Sequence, residues 1–100
     1  MVGDYPVVTL CGSTKFKDQF IESQKKLTLA GFIVISPCYF EHSGDTLSEL
    51  QKYVITDMHM RKIDMSDMIY VINVGGYIGE GTKAEIEYAK EHNKKIIYLE

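Results

Sequence analysis

Glu85 is the residue of this chain placed for covalent chemistry. It lies one turn into a helix predicted from Thr82, directly after the glycine-rich run Gly75-Gly76-Tyr77-Ile78-Gly79-Glu80-Gly81. Helical side chains lean toward the amino end, so the carboxylate points back into whatever crevice the loop borders. From there it can attack an anomeric carbon to form a glycosyl-enzyme ester, or hold a water that does so. The same four residues, Thr82-Lys83-Ala84-Glu85, also spell a capping box, in which Glu85 only bonds the Thr82 N–H. Spacing alone favours the cap.

A second loop, Gly12-Ser13-Thr14-Lys15, separates an apolar run from a helix start. Free N–H groups and the helix dipole favour an anion or a sugar hydroxyl there, while the plainer reading has Gly12 make the turn and Ser13 cap the helix. The Gly-Lys-Ser/Thr ending of a phosphate-binding Walker loop is absent. Glu80, Asp57, Asp64 and Asp67 are expected as solvated or capping groups. His59 and Arg61 reach a crevice only if their helix is suitably tilted. His42 and Asp45 belong to a loop that either overhangs the site as a lid or is plain surface. The three histidines show no ligand spacing, so no metal and no cofactor is expected. Cys11 and Cys38 read as reduced thiols in apolar stretches.

The elements that must position these groups alternate in type. Val7–Cys11 is a nearly unbroken apolar run closed by Gly12, which suits a strand buried on both faces. A helix is predicted over Thr14–Ala30, ended by Gly31, and a strand over Phe32–Ile35, stopped by Ser36-Pro37. Leu47, Leu50, Val54, Met58 and Met65 mark one stripe of a long helix with Thr46 or Ser48 near its start. Met68–Val74 is a third strand, Thr82 to about Asn93 a further helix, and Lys95–Leu99 a fourth strand. Strands alternating with helices specify right-handed crossovers and an α/β fold: a parallel sheet of four strands, ordered 2-1-3-4, with helices on both faces. Ligands then bind at the carboxyl ends of the strands where the order reverses, between the first and third. The two loops named above meet at that point.

A chain of 100 residues, 45% hydrophobic and 25% charged, builds one globular domain spanning 1–100. A net charge of −3 argues against a surface for nucleic acid polymers and toward a small-molecule partner. No apolar run approaches the length of about 18 residues that a membrane span requires. With no signal-like opening, a cytoplasmic location is expected. A flavin or dinucleotide is disfavoured because no G-x-G-x-x-G follows the first strand.

Three segments together, Val8-Thr9-Leu10-Cys11-Gly12-Ser13, Ser66-Asp67 before an apolar strand, and the glycine loop with Ala84-Glu85-Ile86-Glu87-Tyr88-Ala89, resemble the nucleoside 2-deoxyribosyltransferase superfamily. They also look like the 2'-deoxynucleoside 5'-monophosphate N-hydrolases, which share a Cys-Gly-Ser opening and a Glu-Leu-Gly-x-Ala helix. The resemblance spans nearly the whole chain. It implies a flavodoxin-like sheet in a dimer or larger homo-oligomer, a nucleophilic glutamate at Glu85, and cleavage or transfer at the N-glycosidic bond of a deoxynucleoside or its 5'-monophosphate. It implies that Ser13 touches the sugar or phosphate and that Gly12 allows the close approach, and Thr9, Asn73, Gly76, Gly79 and Thr82 are expected as further substrate contacts. Where that family has a tyrosine on the first strand this chain has Thr9, and where it has an aspartate on the helix before the third strand this chain has His59, with Asp57 two residues earlier. His59 is expected as an acid that assists departure of the base. The rival expectation, suggested by those two positions, is a catalytically silent module that senses or sequesters a nucleotide.

Overall fold

In a computed structural model, residues 1–39 and 46–100 are described, so the expectations on His42 and Asp45 lie outside the described residues. The chain runs β1 (Val7–Gly12), α1 (Lys17–Leu29), β2 (Ile33–Ile35), α2 (Glu49–Asp64), β3 (Met68–Ile72), α3 (Glu80–Glu91) and β4 (Lys95–Tyr98). All strand pairs are parallel and the order is β2-β1-β3-β4, as the alternation of elements predicts. Single 3-10 turns, Thr14–Phe16 and Val74–Gly76, follow β1 and β3.

Period-two alternation along the central strands divides the core in two. Val8 and Leu10 of β1 and Tyr70 and Ile72 of β3 join Phe20 of α1 on one face. Cys11 of β1 and Ile69 and Val71 of β3 join Ile63 of α2 and Ile86 and Ala89 of α3 on the other. The sheet is thus sandwiched, with α1 on one side and α2 and α3 on the other. Because β1 and β3 are covered on both faces, their residues are almost uniformly apolar, whereas the edge strands β2 and β4 leave Ile33 and Tyr98 exposed.

Thr9 is the polar exception in β1 and is fully buried. Its hydroxyl and that of Ser66 hydrogen-bond each other, one donating to the other, and the remaining proton goes to the Lys62 carbonyl oxygen, which lies 3.1 Å from Thr9 Oγ1 and 2.8 Å from Ser66 Oγ. This network ties the last turn of α2 to the sheet and satisfies each buried oxygen.

Helix α2 departs from expectation in rotation. Its start is as predicted, with Ser48 and Gln51 forming a reciprocal capping box. The stripe Leu50, Val54, Met58 and Met65, however, faces outward and is exposed, and the inward residues are His59 and Ile63. The face turned to the protein is offset by one residue, about 100° around a helix of 3.6 residues per turn. It carries polar groups because it borders a cavity.

Gly12 closes β1 with φ at 144°, and a Cβ there would stand 2.8 Å from the Ile72 carbonyl oxygen of the paired strand. That oxygen belongs to the backbone and the next atom met, Ile72 Cβ at 3.1 Å, to the root of a side chain, so the clash has no easy relief. Gly12→Ala is therefore expected to cost at least about 1–3 kcal/mol. A lowered urea midpoint checks this, and an unchanged midpoint contradicts it.

Candidate functional site

The loops after β1, β2 and β3 and the facing sides of α2 and α3 enclose a cavity of about 310 Å³. It lies at the carboxyl ends of the central strands, where the sheet order reverses. Gly12, Ser13, Gly79, Thr82, His59 and Glu85 all line it, so six of the nine site residues expected from sequence converge. The other three do not line it. Thr9 is committed to Lys62 and Ser66 beneath the sheet surface. Asn73 clamps the last residue, accepting from Glu100 N at 2.9 Å and donating to Glu100 O at 3.3 Å. Gly76 belongs to the 3-10 turn, its N–H bonded to Asn73 O.

The glycine loop thus divides its labour. Gly75 has φ 63° and Gly76 φ 81°, which the turn itself requires, while Gly79 and Gly81 face the cavity. Between them Tyr77 stands as a wall. Its ring packs edge-on against Phe16 at 5.9 Å and receives the Lys15 ammonium 3.9 Å from its centroid, which ties the loop after β3 to the loop after β1. Ser13 accepts from Lys15 N at 3.4 Å and caps the turn, as its local spacing predicts. Thr14 lines the cavity with a buried hydroxyl that has no hydrogen-bond partner among the described residues.

Helix α3 begins at Glu80 with Gly79 as its N-cap, two residues earlier than predicted. Thr82 is consequently inside the helix, and the capping box written by Thr82 and Glu85 does not form. Gly79 offers no side-chain cap. The first-turn N–H groups, beside the cavity-lining Gly81 and Thr82, therefore leave the positive end of the helix dipole at the cavity edge.

Glu85 lies in the second turn of α3 and lines the cavity. Its Oε2 lies 3.6 Å from His59 Nε2, and the two side chains are 20% and 9% exposed. His59 Nε2 is also 3.5 Å from Cys11 Sγ, and the Cys11 thiol hydrogen-bonds the Glu85 side chain. Burial, then the Glu85 charge and this hydrogen bond, push the thiol pKa well above its ordinary range. Burial, reinforced by the Lys62 ammonium, pulls His59 from 6.5 down to about 4. Desolvation outweighs the nearby carboxylate, so His59 is a neutral imidazole at pH 7 and its contact with Glu85 is not an ion pair.

Cys11, Thr14, Tyr77 and Lys62 are not among the site residues expected from the sequence. Cys11 had a usable signal: period two places it on the Thr9 face of β1, toward α2 and α3. Asp57, Asp64, Asp67 and Glu80 behave as ordinary surface or linking groups. Asp64 accepts from Tyr88 Oη at 2.7 Å, Asp67 from Val7 N at 2.8 Å, and Glu80 pairs with Lys83.

The sheet order, the loops and the cavity are all contained in one stretch of chain, residues 7–98, and that stretch matches a single family model. The chain belongs to the family described as Domain of unknown function (DUF4406). No curated protein matches it. In this DUF4406 domain, among the described residues, no helix is long and apolar enough to cross a membrane.

The neutral state of His59 has a thermodynamic consequence. Below about pH 6.5 the unfolded chain protonates this histidine, whereas the folded chain does so only near pH 4. Stability is therefore lost as pH falls through that window, by about 3 kcal/mol at its lower end. Thermal unfolding in chelator-containing buffer should show a steeper decline in Tm from pH 6.5 to 4 for the native chain than for His59→Gln. Equal slopes would contradict the assignment.

Proposed function

We propose that this domain cleaves or transfers the sugar at the N-glycosidic bond of a deoxynucleoside or its 5'-monophosphate, with Glu85 as nucleophile. The observation that carries the reading is the Glu85 carboxylate at the floor of a cavity of about 310 Å³ rather than in a helix cap. That volume sits at the low end of small-ligand pockets, suited to a mononucleoside-sized molecule. The Thr14 hydroxyl and the uncapped start of α3 supply polar partners for sugar hydroxyls or a phosphate. Tyr77 offers an aromatic wall for a base.

In this mechanism an oxygen of Glu85 attacks the anomeric carbon as the carbon–nitrogen bond breaks and its electron pair leaves with the base. Water or a second base then attacks the same carbon and releases the carboxylate, so configuration is retained. His59 enters as a neutral imidazole that positions Glu85, and the proton taken up by the base comes from water. The scarcity of imidazolium at pH 7 is also the observation that favours the second reading, a silent module that binds the nucleotide without turnover.

The proposed partner, beyond the small molecule, is a second copy of the chain. Leu50, Tyr53, Val54 and Met58 form an exposed apolar band on α2, 42–72% accessible, of the kind that monomers rarely leave uncovered. A monomeric mass in solution would refute that assembly. The two free thiols suit a reducing compartment such as the cytoplasm.

A panel of deoxynucleosides and their 5'-monophosphates separates the two readings. Base release by the native chain that falls by roughly 10³-fold or more in Glu85→Gln supports the enzyme. Tight binding with no release of base supports the silent module, and neither binding nor release contradicts both.

A further inference from the structure

A glycosidic mechanism uses only part of what the cavity lining and the buried layer directly behind it offer. Three elements deliver three different donor types to one point: the Cys11 thiol from β1, the His59 imidazole from the third turn of α2, and the Glu85 carboxylate from α3. One donor atom from each lies within 4.8 Å of the other two, with Sγ to Nε2 at 3.5 Å and Nε2 to Oε2 at 3.6 Å. Bond lengths to tetrahedral zinc near 2.3 Å for sulfur and 2.0–2.2 Å for nitrogen and oxygen place neighbouring donors about 3.4–3.6 Å apart. Both measured edges fall at that separation without any movement of the backbone.

We propose that Cys11, His59 and Glu85 form a three-donor site for a divalent cation of borderline softness, Zn²⁺, with the fourth position open to the cavity. The donor set argues for this class of ion. Sulfur and imidazole nitrogen select against calcium and magnesium, which take six or more oxygen ligands. Thiolate and carboxylate together neutralise the two positive charges, so the complex carries no net charge into a region walled by Ile63, Val71 and Ile86. As the zinc–sulfur bond forms, the thiol proton passes to solvent, while imidazole binds through the lone pair of Nε2 and loses none. Three protein ligands with an open fourth place are the pattern of a reactive or ligand-accepting zinc site rather than a closed structural one.

The site stands apart from the glycosidic reading, because an ion that takes up the carboxylate lone pair withdraws it from attack on a sugar. Metal occupancy and Glu85 nucleophilicity exclude one another. A protein that fails to release base can still bind the ion, and one that releases base can still fail to bind it.

Cobalt(II) is the probe. The full chain, stripped with a chelator and titrated with Co²⁺, is expected to develop a near-ultraviolet thiolate-to-cobalt band and the visible bands of four-coordinate cobalt, saturating at one ion per chain and bleached by Zn²⁺. Cys11→Ser removes the near-ultraviolet band, Cys38→Ser preserves it, and His59→Gln and Glu85→Gln each weaken Co²⁺ binding by about tenfold or more. The two latter variants, with folding verified by circular dichroism, keep the test decisive if Cys11→Ser does not fold. Absence of the band in the native chain overturns the proposal. So does a band that survives Cys11→Ser and vanishes in Cys38→Ser, or Co²⁺ affinity unchanged in both His59→Gln and Glu85→Gln.

Discussion

The arrangement of this domain depends on the desolvation of one imidazole. His59 is packed between a thiol and a carboxylate, and burial is what keeps it uncharged between pH 6.5 and about 4, where a solvated imidazole would take up a proton. Three features make that possible. The β1–β3 register puts Gly12 opposite Ile72, so the strands approach closely above the floor. The Thr9, Ser66 and Lys62 network fixes the end of α2 to β1. The early start of α3 at Glu80 sets Glu85 in its second turn, level with His59.

Those features explain why the layers of the molecule differ in character. The face covered by α1 is purely packing, built on Phe20, Leu10 and Ile72. The opposite face is a composite, apolar where α2 and α3 meet the middle of the sheet and polar where they part near its carboxyl edge. The helix that spans this change is α2, and its inward side accordingly runs from Thr56 and His59 at the cavity to Ile63 in the core.

Legibility followed the same division. Strand order and helix count could be read because β1 and β3 are buried on both faces, which leaves an apolar run with nothing to confuse it. The convergence of Ser13, Gly79, Thr82 and Glu85 was readable from loop positions at the switch point. The rotation of α2 was not, since an apolar stripe ordinarily marks the core and here Leu50, Val54 and Met58 lie outside it. The capping box misled for a related reason: spacing within Thr82 to Glu85 is right, but the helix begins before it, and a cap has meaning only at a helix start. Thr9 and Asn73 occupy positions near the strand ends, yet their side chains are consumed by Lys62, Ser66 and Glu100. Tertiary hydrogen bonding between residues 27 to 57 positions apart leaves no local pattern to find.

A carboxylate aimed at a small cavity is chemically meaningful only if a sugar carbon reaches it, and the covalent intermediate is the direct record of that event. Native protein quenched in acid during incubation with a deoxynucleoside, then digested and weighed by mass spectrometry, should yield the peptide containing Glu85 heavier by one deoxyribosyl group. An unmodified Glu85 peptide under conditions where free base accumulates, or the added mass on a different peptide, would contradict the account.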